Sequence, residues 1–319
     1  MIQKEVWQDR IEGNLFKDND FIKSGTDDSQ YINYKTVHIP NAGTLPTVVK
    51  DLALGGARQN TAIRVDTPID YGIHTYFALP WLVTNAEKVE LSYPKMDSLL
   101  SEMQAILNQR VVEDILYAWG ATGLAGTNNI LRTSGYANND TSAAQFAAYD
   151  LNNPAAGNRL LFTLWEMRQA KKFLDKQDCQ AAGRHMLVSA NQMDQLVNDL
   201  IATKYRSQIG DAFDIKTGMI QKLMGFTIWQ RSSVLLYSNA ATPVKKDPTA
   251  VTALDDNEAA IFWQEAGVSF AKGGVTVRYN PDQADAFGDM MSAEVRFGGA
   301  IRRTTESKVG AIVQRQPAV

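Results

Sequence analysis

The run "PKMDSLLSEMQAILNQRVVEDILYAWG", residues 94–120, constrains the fold more than any other stretch of this chain. Met96, Leu99, Leu100, Met103, Ile106, Leu107, Val111, Ile115 and Leu116 recur at the i, i+3, i+4 spacing of one helical face. Pro94 stands at the start, Asp97 in the first turn and Gly120 just past the end, the order expected of helix boundaries. At 1.5 Å per residue the helix is roughly 37 Å long. That exceeds the usual globular helix, so it is expected to span a whole domain as a spine.

Around this helix the chain is broken into shorter pieces. Residues 5–16, "EVWQDRIEGNLF", place Val6, Trp7, Ile11, Leu15 and Phe16 near helical spacing, with Gly13 weakening the middle. A helix so short is marginal alone, and its aromatic residues need a partner surface. Val37 and Ile39 alternate with Thr36 and His38 as a strand that Pro40 closes. The segment that follows carries Pro46, Val48, Val49, Leu52, Leu54 and the pair Gly55–Gly56. It is too apolar for a solvated linker and too irregular for a core element. Ile63 and Val65, then Ile73, Thr75 and Phe77, read as two strands of a long hairpin turning at Pro68–Gly72.

Residues 121–157 are rich in Ala, Asn, Gly, Ser and Thr, and a loop of that length docks on a neighbour or moves. "NRLLFTLWEMRQAKKFLDKQ" (158–177) is a second helix burying Leu161, Leu164, Trp165, Met167 and Phe173, with its Arg and Lys residues elsewhere. From there the pattern becomes α+β. "RHMLVS" is a buried strand ending at Ser189 that feeds the helix "ANQMDQLVNDLI", and Phe226–Gln230 is a further strand. "AIFWQEAGVSFAKGGVTVRYN" adds strand material, and "SAEVRFGGAIRRTTESKVGAIVQ" reads as a terminal hairpin turning at Thr304–Ser307.

No catalytic constellation emerges. "LGGAR", "ATGLAG" and "FGGAIRR" match neither a P-loop nor a dinucleotide-binding turn and read as close-packing glycines. His38, His74 and His185 lie in separate predicted strands without spaced partners. Asp18, Asp20, Asp27 and Asp28 lack the glycine and closing glutamate of a calcium loop. The single cysteine, Cys179, excludes an intrachain disulfide framework and has no histidine nearby in sequence to activate it. Ser189 sits at a strand-to-helix turn, but "VSANQ" lacks the glycines of a nucleophile elbow. The formal net charge of −3 over 319 residues provides no global basic field, which disfavours nucleic-acid binding as the main activity. No run approaches 18 apolar residues, and the N-terminus lacks the apolar region of a signal peptide, so a cytosolic product is expected.

The order of the pieces is the most informative feature. Together with "HMLVSANQMDQLVNDL" (185–200), "GMIQKLMGFTIWQRSSV" (218–234), "MMSAEVRFGGAIRRTTESKVGAIV" (290–313) and "DSQYINYKTVHIPNAG" before the long helix, it resembles the major capsid proteins of tailed double-stranded DNA phages, with the Hong Kong 97-type fold. The resemblance is one of layout and short patterns across nearly the whole chain.

It implies an α+β chain divided into an N-terminal arm (1–30), an extended E-loop hairpin with flanking strands (31–90), a peripheral domain with the spine helix (91–179), an axial domain (180–277) and C-terminal strands returning to the peripheral domain (278–319). The implied role is structural, not enzymatic, and requires no cofactor and no membrane. Hexamers and pentamers, assembled in the host cytoplasm, would close into an icosahedral head holding double-stranded DNA without sequence-specific contacts. The implied partners are further copies of the chain, a separate scaffolding protein and a portal, with room for decoration proteins. The family's autocatalytic crosslink does not carry over: Lys50 lies in the E-loop candidate, but no acceptor is identifiable. A bacterial encapsulin-type compartment shell of the same fold is the alternative. The candidate inter-subunit contacts are Trp7, Phe16 and Phe21 in the arm and Val48, Val49, Leu52 and Leu54 in the loop. Each could instead pack on its own domain.

Overall fold

A computed structural model describes residues 19–39, 50, 66, 68–85, 95–123, 129–135, 146–148, 158–202, 213–214, 219–302 and 308–315. Its strands begin with β1 (Thr26–Asp27), β2 (Ile32–Asn33), β3 (Thr36–Ile39), β4 (Ile69–Gly72), β5 (His74–Thr84) and β6 (Ile130–Arg132). Then come β7 (Phe146–Ala148), β8 (Asn158–Leu160), β9 (Arg184–Ser189), β10 (Phe213–Asp214), β11 (Met219–Ile220) and β12 (Lys222–Leu223). The last are β13 (Phe226–Arg231), β14 (Leu235–Tyr237), β15 (Asn257–Gln264), β16 (Val268–Gln283), β17 (Gly288–Ile301) and β18 (Val309–Val313). The described α-helices are α1 (Lys95–Trp119), α2 (Leu164–Lys176) and α3 (Ala190–Ala202). The class is mixed α+β, as expected.

The spine helix is where its sequence places it, and it buries Leu100, Met103, Leu107, Val111, Val112, Ile115, Leu116 and Trp119. Ile106, assigned to the same stripe, is exposed, because the buried face is narrower in that turn. The surface α1 covers is a long sheet ordered β1-β16-β17-β5, antiparallel apart from the parallel β1·β16 pair. Alternation along β16 and β17 sends Val275, Val277, Met291, Ala293, Val295 and Phe297 into one core with the helix. The opposite face of the sheet carries Thr276, Arg278 and Glu294, the last two ion-paired at 2.7 Å.

The second sheet has seven strands in the order β12-β13-β9-β15-β18-β6, with β14 also paired to β15. Its central strands are buried at nearly every position because both faces are covered. Leu187, Ile261, Trp263, Ala311 and Val313 face the core that α1 shares with the long sheet. Met186, Val188, Phe262 and Ile312, one residue out of phase, face α2 and α3 through Leu164, Met167, Leu174, Met193 and Leu196. Gly310 pairs with Phe262 across β15·β18, and a Cβ there would come within 2.2 Å of the phenyl ring. Only glycine lets this ring lie flat over the neighbouring strand.

Four sequence expectations change. The hairpin expected to turn at Pro68–Gly72 does not turn there: Ile69–Gly72 is itself strand β4, and it pairs with β3 from Ile39↔Ile69 to Thr36↔Gly72. Strand β5 joins the long sheet beside β17; Ile63 and Val65 lie outside the described residues. The second helix starts six residues late, since Asn158–Leu160 form a strand and α2 begins after Thr163. The C-terminal strands do not form a hairpin. Both edges of β17 are already occupied by β16 and β5, whereas β18, buried at all five positions, inserts between β15 and β6. It therefore belongs to the seven-stranded sheet, where Val309, Ala311 and Val313 face the core shared with the spine helix.

The fourth change concerns Phe21, expected to contact a neighbour. It is 3% exposed in this chain's own core, edge-on to Trp119 and Trp263 at centroid distances of 6.4 and 6.3 Å. The 3-10 turn Asp20–Ser24 brings it there, and large aromatic area is better buried against two tryptophans than left for a partner.

The N-terminus of α2 shows how these layers are tied. Glu166, 2% exposed, accepts from the Thr163 N–H at 2.9 Å and from the Thr163 hydroxyl, closing a capping box that the sequence T-L-W-E encodes. The same carboxylate accepts from the Ser134 N–H and hydroxyl at 2.8 and 2.7 Å, anchoring the segment after β6. Glu166→Ala strands these buried donors and should cost about 2–3 kcal/mol in chemical denaturation. A loss below about 0.5 kcal/mol would show that water replaces the carboxylate.

Candidate assembly surfaces

Among the described residues no group of His, Cys, Asp and Glu side chains converges on a metal site, and the features that stand out are surfaces the folded chain leaves exposed. The first candidate is the stem formed by β3 and β4, which flank residues 40–68 in sequence. One face of β3 and β4 buries Val37 and Ile39 with Ile73 and Ala271, packed by Ile32, Ile69 and Tyr71. On the solvent side His38 Nδ1 meets Asp70 Oδ1 at 2.7 Å across the β3·β4 register. The stem is thus packed on its own subunit through one face, and the ion pair links its two strands on the other.

Beneath the stem, Asp28 is almost fully buried, donates its N–H to the Phe270 carbonyl at 2.8 Å and lies 3.6 Å from the Arg302 guanidinium. Burial raises its carboxyl above the usual range, and Arg302 works in the opposite direction. Tyr71 is pushed up to about 12, again chiefly by burial. This desolvated joint ties the N-terminal segment, the stem strand β4 and the end of β17 to one point.

The second candidate is the β5 edge of the long sheet, which has no further partner strand among the described residues. β5 is an 11-residue edge strand that exposes Phe77 (65%) and Leu79 (77%) on the side away from α1, and also Leu82. Long apolar edges are templates for association unless something covers them. Pro80 and the register shift between Met291 and Ala293 interrupt the strand, which limits open-ended pairing.

At the end of this edge lies the β16–β17 turn, where Gly288 pairs with Thr84 and the Asn85 N–H donates to the Phe287 carbonyl at 2.8 Å. Phe287 is 76% exposed and has φ +48°, a left-handed conformation costly for a bulky residue. The tip is held by Asp289, which accepts from the Tyr279 hydroxyl (2.7 Å) and the Asp282 N–H (2.9 Å), while Asn85 Nδ2 donates to Asp282 at 3.0 Å. An aromatic ring fixed outward by its own hydrogen-bonded turn has the form of a docking knob.

A third surface lies on the segment after β14, where Val244, Val251 and Leu254 are exposed. Beside it is a cavity of about 420 Å³ bounded by Glu113 of α1, Arg231, Leu236, Lys246 and Glu258. Glu258 accepts from the Ser189 hydroxyl at 2.8 Å and from Asn191 Nδ2 at 3.3 Å. Burial raises its carboxyl, only partly offset by these donors. A raised carboxyl costs stability wherever it is ionised in the fold. That cost is present above the folded-state pKa and vanishes below the ordinary glutamate value of 4.5. Glu258→Gln should therefore be more stable than the parent at pH 8, with the advantage shrinking as denaturation is repeated towards pH 4. An advantage that grows in acid would contradict this.

Of the sequence-predicted contacts, Trp7, Phe16, Val48, Val49, Leu52 and Leu54 lie outside the described residues, and Phe21 is internal. Phe77, Leu79 and Phe287 were missed. "YFALPWLV" could have flagged an apolar edge, but nothing in the sequence marks Phe287, whose outward placement goes with a left-handed backbone conformation. His38, His74 and His185 do not converge, and among the described residues no group of three His, Cys, Asp or Glu could hold a metal. No helix among them is long and apolar enough to cross a membrane.

No curated protein matches the chain by sequence. Among solved structures, the chain is similar to one from Mycobacterium phage Che8, with 17% identity, TM-score 0.56, and 92% of this chain and 90% of that one covered. It is also similar to the capsid of Cyanophage P-SCSP1u, with 15% identity, TM-score 0.61, and 91% and 85% covered. A virus-like particle from Pyrococcus furiosus aligns at 10% identity and TM-score 0.52, over 98% of this chain and 100% of that one. These likenesses establish a shared fold. A family profile described as phage capsid protein matches residues 108–314, from the middle of the spine helix through β18. With that match over most of its length, the chain belongs to the phage capsid protein family, as a structural, shell-forming component of a virion.

Proposed function

We propose that this chain is the major capsid protein of a tailed double-stranded DNA phage, with the Hong Kong 97-type fold, and that it closes as hexamers and pentamers into an icosahedral head. The observation that carries this reading is the family match over residues 108–314, joined to a likeness covering about nine-tenths of phage capsid chains. In this reading α1 and the long sheet are the peripheral domain, and the seven-stranded sheet with α2 and α3 is the axial domain. Residues 1–30 are the arm, and 40–68 form the E-loop on the β3·β4 stem. Trp7 and Phe16 in the arm and Val48, Val49, Leu52 and Leu54 in the loop are buried by a neighbouring copy. Phe77, Leu79 and Phe287 extend the receiving surface, since apolar area removed from water contributes roughly 25 cal/mol per Å². A separate scaffolding protein directs curvature, a portal occupies one vertex, and decoration proteins bind outside where the phage has them.

An encapsulin-type compartment shell is the second reading, favoured by the end-to-end alignment with the virus-like particle. Particles purified from the natural source separate the two: nuclease treatment should leave protected duplex DNA inside. Particles that hold protein cargo and no protected DNA would select the compartment.

A further inference from the structure

The outward face of α2 has a charge pattern that the folding of the subunit does not use. Its inward residues Leu164, Met167, Ala170 and Leu174 are in the core, whereas Arg168, Lys172 and Lys176 are exposed on the other side. These three are spaced four residues apart, hence about 6 Å from one to the next along the helix. Lys171 flanks them, and Lys222, from β12, is exposed nearby in sequence to Met224. Arg168, Lys171, Lys172, Asp175, Lys176 and Met224 together bound an open concavity of about 400 Å³.

The one carboxylate among the described lining residues is already engaged. Asp175 meets Lys171 and the buried Arg184, each at 2.7 Å, and these hydrogen bonds hold its carboxyl below the ordinary range. Arg168 stacks on Trp165, 5.7 Å from the ring centroid. Among the described residues no carboxylate pairs with Arg168, Lys172 or Lys176. A chain of net charge −3 thus concentrates cationic side chains on one helix face.

We propose that this face binds the phosphate backbone of duplex DNA without regard to sequence, which places α2 against the packaged genome. The proposal rests on the capsid reading above. A protein partner fits less well, because lysine is depleted from protein interfaces and Met224 is the only apolar side chain among the described residues lining the concavity. Phosphate contacts, by contrast, need point charges on flexible stems and no shape match.

The test compares the full chain with Arg168→Gln/Lys172→Gln/Lys176→Gln, titrating each against a 30-base-pair duplex over a series of salt concentrations. Each phosphate contact contributes about 0.9 to the slope of log affinity against log salt, so the variant's slope should be shallower by about 2 to 3. Arg168→Lys/Lys172→Arg/Lys176→Arg should restore it. Unchanged slopes would overturn the proposal. So would loss of binding to polyglutamate with DNA binding intact, which would assign the face to an acidic protein. Failure of the glutamine variant to form the particles that the parent forms would overturn it too, by making α2 a contact between copies. Electron microscopy of the same samples keeps the capsid reading separate: particles from the parent chain sustain that reading whatever the slopes show.

Discussion

Trp119→Ala should cost the subunit about 3–5 kcal/mol, the range for removing a large, fully buried aromatic side chain. The residue closes the C-terminal end of the spine helix and is inaccessible to solvent. Its ring lies 5.6 Å from that of Trp263 in the seven-stranded sheet and 6.4 Å from Phe21. Its indole Nε1 donates to the Ser269 carbonyl of β16 at 2.9 Å. A Cβ on Gly25 would sit only 3.0 Å from the same ring, so the N-terminal segment has little room to collapse into a void. One side chain therefore joins the helix, both sheets and the start of the described chain. Alanine leaves a cavity and an unpaired carbonyl at that junction. The denaturant midpoint should fall sharply with the slope unchanged; a loss under 1 kcal/mol would mean that the layers are joined elsewhere.

Leu52→Asp/Leu54→Asp should have the opposite profile. If the E-loop packs on a neighbouring copy, each carboxylate placed in that shared apolar contact is desolvated without a partner, at a cost repeated around every capsomer. Assembly into particles should be abolished while the denaturation curve of the isolated subunit moves by less than about 1 kcal/mol, as surface changes do. Loss of the folded subunit would assign these leucines to the chain's own core.

How much of this was legible in sequence follows from the range of the interactions. The spine helix, the strand-to-helix step at Ser189 and the strand at Phe226 were readable because periodicity and turn residues are local. Strand partners were not. β4 looked like a turn because it carries Asp70 and Gly72 in a four-residue strand, and only its register with β3 makes it one. The C-terminal pair looked like a hairpin by proximity, but the uniform apolarity of Val309–Val313 was the local clue that it needed burial on both faces. Phe21 was misassigned because nothing near it in sequence shows Trp119 and Trp263 waiting beside it. The knob at Phe287 depends on a positive φ, for which a non-glycine residue gives no warning.

The central claim is that this subunit completes itself only in a closed array of its own copies. Electron microscopy of the purified full chain, at high concentration and with or without a scaffolding protein, tests that most directly. The account predicts rings of five and six or closed icosahedral shells. A monodisperse monomer under both conditions would contradict it.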